Sequence, residues 1–210
     1  MMPYTKNLSY SVTICATLLF ALSGCATKRV PPTHYYTISS VTPVIEKQRV
    51  ENPRFDTLRI STAHSSRMNE STQIYYQNKN FQREPYVYSR WYDSVDTMMQ
   101  NKLLTAIKSA NIAHTVLPAA TSADTTMVLE TDTIEFIQDF SRGGKCVAKI
   151  AMLATLIDNK TGKSHGSRLF RAKKPCRSYD APGGVAALND AANTITLELI
   201  GWLEETDGGN

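Results

Sequence analysis

The sequence predicts an α+β fold: a mostly antiparallel β-sheet covered by two helices in a single domain. Three observations carry this. Short runs rich in β-branched and aromatic residues recur between residues 33 and 90, separated by polar turn residues. Two later stretches, one after Asp93 and one ending near Glu204, repeat apolar residues at steps of three and four. Between residues 145 and 176, two alternating runs flank a turn, as the arms of a long hairpin do.

The amino-terminal apolar run stands apart from that fold. Lys6 is the only charge among the first 24 residues, and apolar residues extend from Val12 to Ala21. A membrane-spanning helix needs about 20 mostly apolar residues, and this run has roughly half as many. A positive start, a short apolar middle and small residues at the end make a secretory signal. Leu22-Ser23-Gly24-Cys25 also matches the bacterial lipobox, in which the cysteine thiol is acylated and the chain is cut just before it. Residues 1–24 are therefore expected to be removed. Cys25 then becomes the lipidation site, with residues 25–33 as a lipidated tether, 34–205 as the folded domain and 206–210 as a flexible tail. Several acyl chains anchor a protein stably where one does so marginally. Ala26 in place of Asp after the cysteine favours the outer membrane, with the domain facing the periplasm. The eight residues Ala26 to Thr33, which include Pro31-Pro32, reach about 30 Å at most when extended.

Within the domain, "THYYTIS" (33–39) reads as a strand, followed by a polar connection over 40–55. Further strands are expected at "DTLRIST" (56–62), "QIYYQ" (73–77) and "PYVYSR" (85–90). Asp93 or Ser94 can cap a helix whose apolar face is Val95, Met98, Met99, Leu103, Ala106, Ile107 and Ala110. A short strand at 114–117 precedes a long one over 125–140. In the long strand Met127 and Leu129 share one parity, while Ile134 and Phe136 lie on the other. Either a β-bulge near 130–133 or a change of partner midway accounts for the switch.

In the hairpin, Cys146, Ala148, Ile150, Met152, Ala154 and Leu156 form one face, and Phe170, Ala172 and Cys176 share a parity across the turn. A three-residue loop Lys160-Thr161-Gly162 would oppose Asn159 to Lys163. That register sets Met152 against Phe170, Ile150 against Ala172 and Cys146 against Cys176; a slip of one would place core residues against solvent-facing ones. Cys146 and Cys176 are thus expected to form a disulfide, which an exported protein permits; two reduced core thiols are the alternative. A last helix over about 184–204 carries Val185, Leu188, Ala192, Ile195, Leu199 and Trp202 as its stripe.

Little in the sequence points to catalysis or nucleic acid. Without Lys6, 22 basic residues stand against 19 acidic ones, with no basic run. His34, His64, His114 and His165 are not at metal-ligand spacing and no C-x-x-C occurs, so no metal site is expected. No G-x-S-x-G elbow is present, and Gly143-Gly144 and Gly183-Gly184 read as turns, the latter without the Lys-Ser/Thr of a phosphate loop. The reading is non-enzymatic, with no cofactor beyond the diacylglycerol and N-acyl lipid on Cys25. Aromatic residues are the one surface-type signal: Tyr35, Tyr36, Tyr75, Tyr76, Tyr86, Tyr88, Trp91 and Tyr92 cluster early in the mature chain. Large, rigid side chains with a polar tip suit protein interfaces. Tyr75, Tyr76, Tyr86, Tyr88 and Trp91 are the candidate partner-binding residues.

The order of these features resembles a known family. A lipobox is followed by "HYYTIS", "LRIS", "STQIYYQ" and "YVYSRWYDSVDTMMQNKLLTAI", then "IEFIQDF", a hairpin around "DNKTGK", "LFRAKKP", and a helix ending "IGWLEE". This is similar to the ABC-type transport auxiliary lipoproteins, the PqiC-like group. The resemblance implies an accessory subunit of an intermembrane lipid transport system on the inner face of the outer membrane. There it would receive an MCE-domain substrate-binding protein that bridges the periplasm. It also implies ring-shaped homo-oligomers, octamers among relatives. Lipoproteins of another envelope machine, a secretion system or a peptidoglycan-synthesis activator, would share most of these features. A lipid-anchored hydrolase is the more distant alternative.

Overall fold

The long strand expected around residues 125–140 is the spine of the sheet. The computed structural model describes residues 30–40, 50–62 and 66–206, and residues from Thr33 onward form one compact unit. The signal, Cys25, the connection over 41–49, His64 and the tail beyond Thr206 lie outside the described residues. In chain order the elements are β1 (His34–Tyr36), β2 (Phe55–Thr62), β3 (Gln73–Gln77), β4 (Arg83–Trp91), α1 (Val95–Ser109), β5 (Ala113–Leu117), β6 (Met127–Arg142), β7 (Lys145–Asp158), β8 (Ser164–Pro175) and α2 (Ala181–Glu205).

Along one edge β6 pairs antiparallel with β7, which pairs antiparallel with β8. Its other edge changes partner midway. The first half pairs parallel with β2, from Leu58↔Met127 to Thr62↔Thr131. The second half pairs parallel with β3, at Tyr76↔Gln138 and Gln77↔Asp139. From there the sheet forks: β5 lies parallel beyond β2, while β4 lies antiparallel beyond β3 and β1 parallel beyond β4. The architecture is α+β as expected. The long β6–β7–β8 ladders are antiparallel, but the sheet is mixed, because β6 takes both short strands in parallel.

Both explanations for the parity switch in β6 hold at once. The register against β7 shifts between Thr133 and Glu135, so Ile134 is the extra residue of a bulge. The bulge lies just beyond the expected 130–133. It carries Leu129 and Thr133 onto the same face as Phe136 and Gln138, as their β7 partners Leu156, Met152, Ile150 and Ala148 require. Ile134 itself points outward and is 52% exposed. The bulge lies where β2 gives way to β3.

The β7–β8 register matches the sequence reading over most of its length, including Met152↔Phe170 and Ile150↔Ala172. Its turn does not. The hairpin closes on Asp158 and Lys163, not on Asn159 and Lys163, because Asp158 N–H donates to the Lys163 carbonyl at 2.9 Å. The Asp158 carboxylate accepts from the N–H groups of Lys160 and Thr161, and Gly162 takes φ +69°. Asn159 is engaged elsewhere: its N–H and its side-chain amide donate to the carbonyls of Thr126 and Thr125. A register shift between Leu156 and Ile157, opposite the His165–Gly166 stretch, absorbs the one-residue difference.

Both helices lie on one face of the sheet, α1 over β2 and β5, α2 over β7 and β8. Ser94 caps α1, accepting from the Thr97 N–H. Helix α2 begins a turn earlier than the sequence suggests. Asp180 caps it through the Gly183 N–H, and Pro182 sits in the first turn, where its missing N–H costs nothing. Gly183-Gly184 is therefore helix, not turn. A Cβ on Gly184 would lie 2.1 Å from the Gln138 side chain, and one on Gly183 would lie 2.3 Å from the Ser178 carbonyl. Glycine lets the helix start rest directly on β6.

The core lies between sheet and helices. It joins Met98, Met99, Leu103 and Ile107 of α1 with Leu188, Ile195, Leu199 and Leu203 of α2 over Leu129, Ile150, Met152 and Leu156. Lys102 is buried within the apolar stripe of α1. Its Nζ donates to the Ser39 carbonyl and to Asn193 Oδ1 of α2, and burial pushes its pKa down to about 8.

Candidate functional site

The five aromatic residues singled out from sequence separate into three environments because β4 does not run straight. Gln73 pairs with Arg90 but Tyr75 pairs with Pro85, so Tyr86 to Ser89 bow out of the ladder opposite Ile74. The Arg90 guanidinium donates to the carbonyls of Tyr86 and Ser89, at the two ends of the bow. The bow is thereby fixed, with Val87 69% and Tyr88 41% exposed at its crest.

Tyr76 and Tyr86 lean together inside the bow, ring centroids 4.9 Å apart, and Phe140 and Tyr179 continue the cluster. The Tyr76 hydroxyl donates to Glu84 at 2.8 Å. The Tyr86 hydroxyl donates to Gln138 Oε1 at 2.8 Å, and Gln138 Nε2 donates to the Asp180 carbonyl at 3.0 Å. Burial pushes the Tyr86 pKa up to about 12, helped by the charges of Tyr76 and Asp180. The bond to Glu84 raises that of Tyr76. Both phenols therefore remain protonated donors at neutral pH, suited to contact and hydrogen bonding. The cluster is an aromatic shelf on the helix side of the sheet, at the amino-terminal end of α2.

Trp91 belongs to neither the bow nor the shelf. It is 2% exposed and packs edge-to-face on Phe136 at 5.8 Å. Its expected place in a partner-binding surface is corrected: the ring fills the core where β4 enters α1. Tyr75 is half-buried and lines a shallow groove with Met68, Arg83 and Ile134.

Cys146 and Cys176 form a disulfide across the β7–β8 pair, with Cα atoms 5.3 Å apart and the Cys176 N–H donating to the Cys146 carbonyl. Gln138 Nε2 also lies 3.1 Å from Cys146 Sγ, which ties the disulfide to the aromatic shelf. Among the described residues no group of three or more His, Cys, Asp or Glu side chains is placed to hold a metal ion, and no helix is long and apolar enough to cross a membrane.

Phe140, Tyr179 and Gln138 belong to the site but are not among the residues expected from the sequence. Phe140 and Gln138 share the core parity of β6 beyond the bulge, so a glutamine on an apolar face was the available signal. Tyr179 joins only through the fold.

A family model described as the ABC-type transport auxiliary lipoprotein component matches residues 36–199. A curated protein of Bradyrhizobium diazoefficiens, described as uncharacterized, is 28% identical over 114 residues, 53% of this chain. The match covers only 30% of that relative's length. A crystal structure of a Xanthomonas campestris protein superposes with a TM-score of 0.68 at 20% identity, covering 80% of this chain and 94% of the other. The crystal structure of an uncharacterized protein gives 0.63 at 12% identity, covering 82% and 99%. At these identities the likeness is one of fold.

Proposed function

Since the chain belongs to the ABC-type transport auxiliary lipoprotein family, we propose that it is a non-enzymatic accessory subunit of an ABC-linked, MCE-type intermembrane lipid transport system. In this reading it is held on the periplasmic face of the outer membrane by diacylglycerol and N-acyl lipid on Cys25. There it receives an MCE-domain substrate-binding protein. The observation that carries the reading is the family match, which takes in nearly every element of the domain, joined to the lipobox that precedes it in the sequence.

The chemistry of the aromatic shelf suits such a role. A docking subunit needs a rigid surface with aromatic area and hydrogen-bonding tips rather than a cleft of converging acids and bases. The shelf of Tyr76, Tyr86, Phe140 and Tyr179 offers that, and Tyr76 and Tyr86 carry forward two of the candidate partner-binding residues. The disulfide and the Gln138 network stiffen its floor.

The test begins with the anchor. Intact mass of the membrane-extracted protein should place three acyl chains' worth of mass on an amino-terminal Cys25. Replacing residues 1–25 with a cleavable, non-acylated export signal should move the protein to the soluble periplasm and abolish transport-linked barrier function. Full function from the soluble form would overturn the proposal.

A further inference from the structure

We infer that the β1–β4 edge of the domain is a membrane-apposed face, with Tyr35, Tyr88 and Tyr92 lying in the headgroup region of the bilayer that holds the anchor. The inference rests on the lipid-tether reading above and adds an orientation to it.

Exposed apolar side chains gather at this edge. Tyr35 is 68% exposed, Val87 69%, Tyr88 41% and Tyr92 78%. All four belong to one pair of strands or the residue just after it. Tyr35 is the register partner of Arg90, and the Tyr92 N–H donates to the Tyr36 carbonyl at 2.7 Å. Tyr36 and Trp91, the adjacent register pair, pack against the core, so the sheet divides its aromatic residues between core and outside here. Arg90 folds inward onto the carbonyls of Tyr86 and Ser89, which leaves aromatic rather than cationic groups at the crest. Tyrosine, with an apolar ring and a polar tip, is enriched where protein meets the membrane–water interface.

Chain geometry selects a bilayer over a protein as the occupant. Strand β1 starts at His34, directly after Thr33, and the tether back to Cys25 spans about 30 Å at full extension. A domain of this size is on the order of 40 Å across, so the tether cannot lift its root clear of the surface by even one domain diameter. The root is also fixed. Ser39 N–H donates to Asn189 Oδ1 of α2, and Asn189 Nδ2 donates to the Thr37 carbonyl. The exposed aromatic edge is thus the part of the domain that the anchor brings nearest the lipid.

The experiment uses the chain from residue 26 onward, exported by a cleavable non-acylated signal so that Cys146 and Cys176 can pair. Every residue of the hydrophobic core among the described residues lies in the unit from Thr33 onward. Partition onto phosphatidylethanolamine/phosphatidylglycerol vesicles is measured by flotation. The Tyr35→Ser/Tyr88→Ser/Tyr92→Ser chain is compared with a Leu169→Ser control on β8, and thermal melts confirm that each is folded. Weak, measurable partition is expected for the parent and the control, falling about tenfold in the triple variant as three part-buried rings are lost. Equal partition of parent and triple variant, or none by the parent at millimolar lipid, overturns the inference. So does a triple variant that keeps vesicle binding but loses a transporter component, since that makes the edge a protein-docking site. None of these outcomes depends on Cys25, so failure of the anchor reading would be seen separately in the mass of the native amino terminus.

Discussion

The side-chain amide of Gln138 occupies the space where a Cβ on residue 184 would lie, 2.1 Å from its Oε1. One buried amide thereby links β6, β4 and the start of α2, accepting from Tyr86 and donating to the Asp180 carbonyl. Gly184→Ala must push that amide aside and break at least one of these bonds, costing about 1–3 kcal/mol. In a Gln138→Ala background the same change should cost little. A double-mutant cycle by urea denaturation measures the coupling, and additive effects would contradict the contact.

The disulfide closes a loop between residues 30 apart in sequence. Cys146→Ala/Cys176→Ala, or reduction of the native protein, should lower stability by about 3–4 kcal/mol in the chain-entropy account. Unchanged denaturant midpoints with and without reductant would count against a role for the bond in stability.

Lys102 gives the domain an alkaline signature. Its pKa in the folded protein is pushed down to about 8 from an ordinary 10.5, chiefly by burial. Between those values the unfolded chain binds more protons, so stability should rise with pH and fall again as pH drops through 8. Tyr86, held up to about 12, acts in the opposite direction above its ordinary value of 10. Measurement of unfolding midpoints from pH 8 to 10 isolates the lysine. Lys102→Met should flatten the rise, and an identical slope in both proteins would contradict it.

Trp91 and Tyr179 make a contrasting pair. Trp91→Ala should cost about 3–5 kcal/mol as a core truncation. Tyr179→Ala, 66% exposed at the rim of the shelf, should leave the melting temperature nearly unchanged while weakening partner retention. A mild effect of Trp91→Ala on melting would mean that its burial is not that of a core residue.

The sequence made local pairing legible and non-local pairing not. Alternation in β7 and β8 specified Met152 against Phe170, because a one-residue slip would turn Phe170 and Ala172 to solvent. The helical stripes emerged for the same reason, each being a periodic apolar face. Parallel contacts such as Leu58↔Met127 join residues about seventy positions apart and leave no local mark. The Asn159 turn escaped because its amide bonds to residues before β6, outside the hairpin. The start of α2 escaped because Pro-Gly-Gly resembles a helix breaker, although proline suits a first turn and Gly184 answers to Gln138. Trp91 was grouped with the interface aromatics by residue type, and no local pattern marks its burial, since the ring packs on Phe136 of the distant β6. The bow from Tyr86 to Ser89 sets extra residues opposite Ile74, so strand parity alone does not place it.

Docking of the lipoprotein to a lipid-carrying assembly should be visible in what the native protein holds in its own membrane. The tagged, acylated protein would be extracted in mild detergent after brief cross-linking and its partners identified by mass spectrometry. The Tyr76→Ala/Tyr179→Ala form would be treated in parallel. Recovery of an MCE-domain substrate-binding protein, with its ABC transporter components, is expected, and several-fold less from the variant. Recovery of secretion-system or peptidoglycan-synthesis proteins with no transport component would contradict it.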